Sequence, residues 1–328
     1  KPIDKKSNYV KRCVGLPGDE LEIKDGFVHI DGKKNELPDR ARVQYNFTAY
    51  NDKGVSSRRL YELGVSDFYR RYRIENITQN SYDKLAPYLV GRSGNSTNNF
   101  VVITREAGLP IDLVRSLGLK VSEVLEKSKD LNLTVKQANK IAKQDWIDSI
   151  VKRNQKIKTP NTNFFPNKIP FDWNQDNFGP IKIPANGQTI DLSLSNLPLY
   201  KKIIVDYEGN SLKTQGDQIL INNEKVSKYT FQQDYFWMMG DNRHRSEDSR
   251  FWGFVPEDHI VGKPVFIWFS IDGINDGISN WKVRWDRVFT TVGGEGKRVS
   301  YFPYFVAIIV IWQGFVYFRK RKNKNLKK

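Results

Sequence analysis

The chain has 328 residues, of which 39% are hydrophobic, 27% charged and 13% aromatic, a composition typical of folded proteins and not of disordered ones. Its length exceeds that of most single domains, so we expect a core and at least one further module. The formal net charge of +16 fits a nucleic-acid-binding protein by charge alone. No zinc-finger or RNA-binding motif accompanies the charge, and we therefore expect no nucleic-acid partner.

Cysteine and histidine are scarce in this chain. Cys13 is the only cysteine, which excludes an internal disulfide, and we expect it to pack as a small apolar side chain. The three histidines, His29, His244 and His259, are scattered along the sequence. A zinc site needs several such ligands close together, so we expect no metal site.

Residues 8–32 have the alternating pattern of β-strands. Asp25-Gly26 separates two apolar runs there, and such a pair in that position predicts a hairpin. Asn222-Asn223 occupies the same position between the runs at 219–221 and 224–226. Two hairpins far apart in the sequence predict a β-rich core that an α/β insertion interrupts. The elements expected at the start are an extended segment at 9–11, a turn at 15–18 and strands at 21–23 and 27–30.

The expected insertion, residues 33–230, has a mixed pattern. Its clearest helical signal begins behind Thr134, where Gln137 completes a capping box and apolar residues recur at three- and four-residue steps. The elements predicted in this region are a strand at 44–50, short amphipathic helices at 66–74 and 105–119, a longer helix at 135–153 and an irregular segment at 161–184.

The C-terminal end has the pattern of a membrane anchor. No charge occurs over the 18 residues from Tyr301 to Phe318, which as a helix would be about 27 Å long, and aromatic residues lie at both ends. Pro303 and Gln313 leave a buried C-terminal helix open as the alternative. Seven of the last ten residues are basic, so the positive-inside rule predicts a cytoplasmic tail and an external position for everything before the span.

Two polar segments near opposite ends of the chain carry the candidate chemistry. The first runs from Asn8 to Asp19 and contains Tyr-Val-Lys-Arg; the second runs from Gly240 to Pro256 and contains Gly-Asp-Asn-Arg and Asp-Ser-Arg. Together they resemble the lysine box and the last conserved box of bacterial type I signal peptidases. The resemblance implies a β-fold core and a membrane-bound serine endopeptidase without a cofactor. Its substrates would be secreted preproteins, cut at the outer face of the cytoplasmic membrane.

The resemblance also implies roles for individual residues. A serine nucleophile can be activated by a neutral lysine, so we expect Lys11, the general base in this family's pattern, to be buried. Ser246 matches the serine that holds the lysine amine. Asp248 and Arg250 are two residues apart and would share one face of a strand, where they could pair. The remaining expected site residues are Arg12 paired with Asp241, the supporting Asn242, Arg243 and Ser249, and the substrate-binding Asn8, Tyr9 and Val10.

The family's nucleophile has no match in this sequence. In the family it lies in a Ser-x-Ser-Met-x-Pro segment before the lysine box, but only ten residues precede Lys11. Neither Met238 nor Met239, the only methionines, belongs to such a segment. Ser7 lies four residues before Lys11, a spacing that pairs on a helix and not on the strand expected here. The resemblance therefore implies a nucleophile upstream, a chain truncated at its N-terminus, and an inactive fragment.

A catalytically inactive relative that binds at the membrane remains an alternative function. The partners expected in either case are preproteins with small residues at the cleavage site and membrane lipid. The expected division of the chain is a first part of the catalytic core at 1–32, an inserted region at 33–230, a second core part at 231–298, a transmembrane helix at 299–319 and a cytoplasmic tail at 320–328.

Overall fold

The computed structural model describes residues 8–93, 99–168, 171–274, 278 and 281–325. It is mainly β, as the sequence predicts. Ser7 and the last three residues of the basic tail lie outside the described residues. The described helices are α1 (Ser57–Glu62), α2 (Gln79–Leu85), α3 (Ile111–Ser116), α4 (Val135–Ile141), α5 (Leu197–Lys202), α6 (Ser249–Trp252) and α7 (Phe302–Asn325).

Most of the described strands are short, β5 with 12 residues being an exception, and they pair antiparallel. Their bounds are β1 (Arg12–Gly15), β2 (Glu20–Lys24), β3 (Phe27–Ile30), β4 (Lys33–Lys34), β5 (Gln44–Val55), β6 (Tyr69–Glu75), β7 (Leu89–Ser93), β8 (Asn99–Arg105), β9 (Lys120–Glu123), β10 (Glu126–Thr134), β11 (Ser149–Lys152), β12 (Phe178–Lys182), β13 (Thr189–Asp191), β14 (Leu212–Gln215), β15 (Gln218–Ile221), β16 (Glu224–Val226), β17 (Lys228–Thr230), β18 (Tyr235–Met239), β19 (Val255–Pro256), β20 (Phe266–Ile267), β21 (Ile271–Asp272), β22 (Lys282–Val283) and β23 (Thr290–Thr291). Their orders in the larger sheets are β1-β18-β19, β10-β5-β11, β12-β2-β3-β4, β14-β15-β16 and β7-β8-β6-β9.

The chain divides into two compact units. The first comprises Lys1–Asn35 and Arg42–His259, and the second comprises Glu36–Ala41 and Ile260–Lys328. The main hydrophobic cluster of the first unit contains Leu21, Phe178 and Trp237, which are almost completely buried. This cluster joins side chains of β1–β3 with residues between 165 and 229, which were expected from the sequence to belong to the insertion. The assignment of residues 33–230 to an insertion stays a prediction.

Both hairpins predicted from the sequence are confirmed. β2 pairs with β3 and β15 pairs with β16. The turn residues Asp25 and Gly26 have φ angles of 49° and 80°, and Asn222 and Asn223 have φ angles of 53° and 67°. Two successive positive φ angles are the geometry of the two-residue turn that matches strand twist, and Asp, Asn and Gly adopt it at least cost.

Two further clusters complete the first unit. β5 is the central strand of the sheet β10-β5-β11, and its buried Tyr45 and Phe47 pack with Leu60 of α1 and Ile141 of α4. A third cluster lies on one face of the sheet β7-β8-β6-β9, where Ile74 and Val102 contact Leu85 of α2. The predicted strand at 44–50 is confirmed and extends to Val55.

Three helix predictions were wrong or too long. Residues 69–75 form β6, because alternate residues such as Tyr72 and Ile74 are buried while the strand pairs with β8 and β9. Only Ile111–Ser116 of the segment 105–119 is helical. The capping box of α4 is present, but the helix ends at Ile141 because the chain returns as β11 to pair with β5. Pairing with an existing sheet outweighs the local helical pattern.

The second unit contains the two-stranded antiparallel sheets β20-β23 and β21-β22 and the long helix α7. Arg40 donates hydrogen bonds to Thr291 Oγ1 at 2.9 Å and to the carbonyl oxygens of Gly293 and Lys297 at 3.0 and 2.9 Å, which attach the segment Glu36–Ala41 to this unit. The segment Phe302–Lys320 is long and apolar enough to cross a membrane, and none of it is buried within the chain. The alternative of a buried C-terminal helix is therefore wrong.

Lys152 lies in an aromatic environment in the first unit. Its Nζ is 3.9 Å from the ring centre of Phe27 and 4.1 Å from that of Tyr45, and it donates to the carbonyl oxygen of Asp25. Burial lowers the pKa of Lys152 from its ordinary 10.5 to about 8. Between these values the unfolded chain binds more protons than the folded chain, so stability rises with pH in this window.

We expect Lys152→Met to remove this pH dependence. The free energy of unfolding of the parent protein, relative to that of the variant, should rise as the pH goes from about 8 to about 10 and stay constant below about 8. Urea unfolding followed by tryptophan fluorescence measures the difference. Lys33→Met, at an exposed lysine of β4, is the control. Its free energy of unfolding should change with pH as that of the parent does. If the free energy of unfolding changes with pH equally in the parent and in Lys152→Met, the lowered pKa of Lys152 is contradicted.

Candidate active site

The pairing of β1 with β18 brings the two polar segments together. Arg12 lies opposite Met239 and Cys13 lies opposite Met238 in this ladder. Lys11 directly precedes β1, and Gly240 directly follows β18. Both segments therefore meet at the same end of the ladder, although Lys11 and Ser246 are 235 residues apart in the sequence.

Lys11 contacts Ser246 at this point. Its Nζ donates a hydrogen bond to Ser246 Oγ over 2.5 Å. The rings of Tyr9 and Trp252 each lie 5.8 Å from the Nζ atom, and the two ring centres are 6.1 Å apart. Lys11 is half-buried, so the complete burial expected from the sequence is absent in the chain alone. The hydroxyl fixes the direction of the amine while the two rings limit its access to water.

Gly240 is required by the closeness of this contact. A Cβ atom at position 240 would lie 2.0 Å from Ser246 Oγ and 2.5 Å from Ser246 Cβ, which is closer than such atoms can approach. The reason is space, since its φ angle is not positive. Neither Gly240 nor Trp252 was among the site residues expected from the sequence. The glycine at the start of the second box was the available signal for Gly240.

Asp248 and Arg250 form a buried ion pair. Arg250 Nε donates to Asp248 Oδ1 over 2.8 Å and Nη2 donates to Oδ2 over 2.7 Å, and both side chains are at most 1% exposed. Asp248 also accepts a hydrogen bond from the amide of Gly240 over 3.0 Å. The expectation that the pair shares a strand face was wrong, because Asp248 is the N-cap of α6 and Arg250 lies in its first turn. Capping α6 gives the carboxylate backbone donors that a strand would not supply.

Arg12 and Asp241 form a second pair that is partly exposed. Arg12 Nε and Nη2 donate to the two carboxylate oxygens over 2.7 and 2.8 Å, while the side chains are 29% and 38% exposed. Exposed pairs contribute about 0–1 kcal/mol, whereas breaking a buried pair costs about 3–5 kcal/mol. The pair of Asp248 and Arg250 is therefore the main brace of the loop, and the pair of Arg12 and Asp241 attaches the loop to the lysine box.

The remaining expected support residues also lie in this loop. Ser249 Oγ accepts a hydrogen bond from the amide of Met238 over 2.9 Å. Arg243 is buried, and burial lowers the pKa of its guanidinium. The carbonyl oxygen of Arg243 accepts from Arg250 Nη2 over 2.6 Å, and Asn242 pairs with Gln44 of β5 as an isolated bridge. Each of these contacts restricts the path of the loop between β18 and α6.

The expected substrate-binding residues are exposed next to the Lys11 contact. Asn8, Tyr9 and Val10 are exposed, with Tyr9 at 71% and Val10 at 85%. Cys13 is also exposed, so the expectation that it packs as a small apolar side chain was wrong. Within the described part of the chain no group of three His, Cys, Asp or Glu side chains could hold a metal ion.

The family model for signal peptidase, peptidase S26, matches residues 1–82 and 182–269, just over half of the chain. This chain belongs to that family. Both matched segments contribute to the site, since Lys11 lies in the first and Ser246 lies in the second.

Three relatives in the family are similar to shorter segments. Signal peptidase I of Helicobacter pylori (strain ATCC 700392 / 26695) is 41% identical over an alignment of 104 residues, and the match covers 27% of this chain and 36% of the relative. Signal peptidase I of Haemophilus influenzae is 39% identical over 70 residues, 21% of this chain and 19% of the relative. That of Aquifex aeolicus is 51% identical over 43 residues, 13% of this chain and 17% of the relative. The matched segments thus span about a third of the Helicobacter relative and less than a fifth of the other two.

We expect Gly240→Ala to displace Ser246 from Lys11. The added methyl group must push the serine away, so the free energy of unfolding should fall by about 1–3 kcal/mol. Gly262→Ala is the control, because a Cβ atom there meets nothing within 4 Å and its φ angle is not positive. The control should change stability by less than about 0.5 kcal/mol. Urea unfolding measures both, and equal stability of the two variants would contradict the crowding at Gly240.

Proposed function

We propose that this protein is a membrane-bound serine endopeptidase that removes signal peptides from secreted preproteins. The observation that carries the proposal is the hydrogen bond from Lys11 Nζ to Ser246 Oγ between two segments that the family model matches. A lysine held in a defined direction by a hydroxyl group, beside two aromatic rings, suits a general base better than a solvated surface lysine.

In this proposal Lys11 handles the protons of the reaction. Its neutral amine accepts the proton of a serine hydroxyl as the oxygen attacks the carbonyl carbon of the scissile peptide bond. When the C–N bond breaks, Lys11 gives this proton to the leaving amine nitrogen, and an acyl-enzyme remains. Lys11 then accepts a proton from the water molecule that attacks the ester carbonyl, and returns this proton to the serine oxygen as the C–O bond breaks and the acid product leaves. Ser246 Oγ accepts a hydrogen bond from the lysine and keeps Nζ directed at the reacting atoms.

We place the nucleophile on a serine beyond the described residues. Ser246 already accepts the hydrogen bond of Lys11, and the resemblance gives it the orienting role. Upstream of Lys11 the candidates are Ser7 and a serine that the 328 residues do not include. The family's pattern favours the second, since its nucleophile lies in a Ser-x-Ser-Met-x-Pro segment.

The substrate is proposed to bind as an extended strand along Asn8, Tyr9 and Val10. These residues are exposed, and β1 begins directly after Lys11. Backbone hydrogen bonds to an added strand provide affinity, and shallow pockets select side chains at alternate positions. Small residues at the cleavage site would fit beside Tyr9.

The membrane is the second proposed partner. The apolar helix α7 and the basic residues after it suit a C-terminal anchor with its tail in the bacterial cytoplasm. The site then lies at the outer face of the cytoplasmic membrane. The division of the chain into a two-part core and an insertion at 33–230 belongs to this proposal, which includes neither a cofactor nor nucleic acid.

We expect Lys11→Arg to abolish cleavage. Arginine stays protonated and cannot accept the serine proton, and loss of a general base costs about 10²- to 10⁴-fold in rate. The gene product is incubated in detergent with a peptide that carries an Ala-x-Ala cleavage site, and mass spectrometry follows the products. Lys33→Arg is the control and should cleave at the parental rate. A Lys11→Arg variant as active as the parent would refute the role of Lys11, and an inactive parent would favour the membrane binding module.

We also expect the tail to be protected in intact spheroplasts. Protease added from outside should digest the residues before 301 and spare the segment 301–328, because the basic tail follows the apolar span directly. Detection with antibodies against each end of the chain measures this. Lysed spheroplasts, in which the tail is also cut, are the control. Recovery of the protein in the soluble fraction after a carbonate wash would contradict the anchor.

A further inference from the structure

His244 lies two residues before Ser246, and both of its ring nitrogens form hydrogen bonds. The backbone amide of Asn46 in β5 lies 3.1 Å from Nδ1, and Asp176 Oδ1 lies 2.9 Å from Nε2. An amide N–H is a donor, so Nδ1 accepts and carries no proton. The proton of the neutral ring is therefore on Nε2, where it is donated to Asp176. The side chain of His244 is 6% exposed.

Asp176 is a fixed anchor for this ring. Its side chain is 1% exposed, and its Oδ2 accepts a hydrogen bond from the amide of Gln155 over 2.8 Å. Burial disfavours the charged form, but the hydrogen bonds from His244 and Gln155 outweigh it and hold the pKa of Asp176 below its usual range. A buried carboxylate with these donors has one favoured position and one favoured charge.

The loop that contains His244 runs alongside the start of β5. The amide of Gln44 donates to the carbonyl oxygen of Asp241 over 2.8 Å, and the amide of Arg243 donates back to the carbonyl oxygen of Gln44 over 3.0 Å. His244 continues this contact through its side chain, because the amide of Asn46, two residues after Gln44 in β5, donates to Nδ1. The ring thus bonds both β5 and the segment around Asp176.

We propose that His244, held by Asp176, is a positioning residue that fixes the loop on β5 so that Ser246 Oγ meets Lys11 Nζ. The inference rests on the proposed function and deepens it, since it gives β5 and Asp176 a part in the reaction. His244 does not handle the substrate's protons, because both ring nitrogens are already engaged in the fold. Its effect is on the direction of the Lys11 amine.

The variants of His244 separate its two hydrogen bonds. His244→Phe fills a similar space and removes both. His244→Gln places an amide donor near the position of Nε2 and keeps a partner for Asp176. Asp176→Asn removes the charge of the anchor. His259→Gln is the matched control, since His259 is a partly exposed histidine that bonds only to the neighbouring Asp258 in the described structure.

We expect His244→Phe and Asp176→Asn to lower kcat for the Ala-x-Ala peptide by about 10- to 100-fold, the usual cost of a displaced catalytic group. KM should stay within about twofold, because residues 8–10 keep their contacts. General destabilisation of the fold would not lower kcat while leaving KM unchanged. The double variant should lose no more than either single variant, His244→Gln should recover part of kcat, and His259→Gln should match the parent. Unchanged kcat in folded His244→Phe, or additive losses in the double variant, would overturn the proposal.

A second readout does not depend on cleavage. The rate at which acetic anhydride modifies Lys11, measured by peptide mass spectrometry and compared with that of the exposed Lys33, reports the surroundings of the amine. It should rise in His244→Phe and Asp176→Asn and stay unchanged in His259→Gln. If the parent cleaves nothing, the proposed function fails, and this rate still decides the positioning role. If His244→Phe does not fold, the kcat and the Lys11 modification rate of His244→Gln and Asp176→Asn test the positioning role of His244 instead.

Discussion

The antiparallel pairing of β1 with β18 is the constraint on which the site depends. Its register places Arg12 opposite Met239, and a slip of one residue would turn the side chains of the shifted strand to the opposite face of the sheet. The buried Trp237 and Met239 resist such a slip because they pack in the main hydrophobic cluster. The apolar core thus sets where Lys11 ends up, although Lys11 itself is only half-buried.

The polar loop after β18 keeps its shape by a different means. A buried charge is costly unless it is paired and hydrogen-bonded, and Asp248 meets both conditions with Arg250 and the amide of Gly240. The Asp248 carboxylate accepts a hydrogen bond from the amide of Gly240, and the absence of a side chain at Gly240 leaves room for Ser246. Charge pairing and close packing therefore act on one short segment, and neither leaves Ser246 free to move from Lys11.

The second boundary of this loop is β5, which belongs to another sheet and another hydrophobic cluster. Gln44 and His244 make the connection through backbone and ring hydrogen bonds. The loop is consequently held from three directions: by the β1–β18 ladder, by the cap of α6 and by β5. This arrangement suits a proton-transfer site, where small displacements of the base are expensive.

The sequence by itself determined the features that depend on neighbouring residues. The Asp25-Gly26 and Asn222-Asn223 turns, the capping box at Thr134, the apolar span and the two boxes all carry local signals. The pairing of Arg12 with Asp241, which are 229 residues apart, was implied only by the resemblance of the two boxes to the family. Only the tertiary structure decided that residues 69–75 form a strand, that α4 ends at Ile141, that Asp248 caps a helix, and that His244 meets Asp176. The physical reason is that strand pairing and burial join residues far apart in the chain, and no local pattern specifies which distant partner will supply the hydrogen bonds.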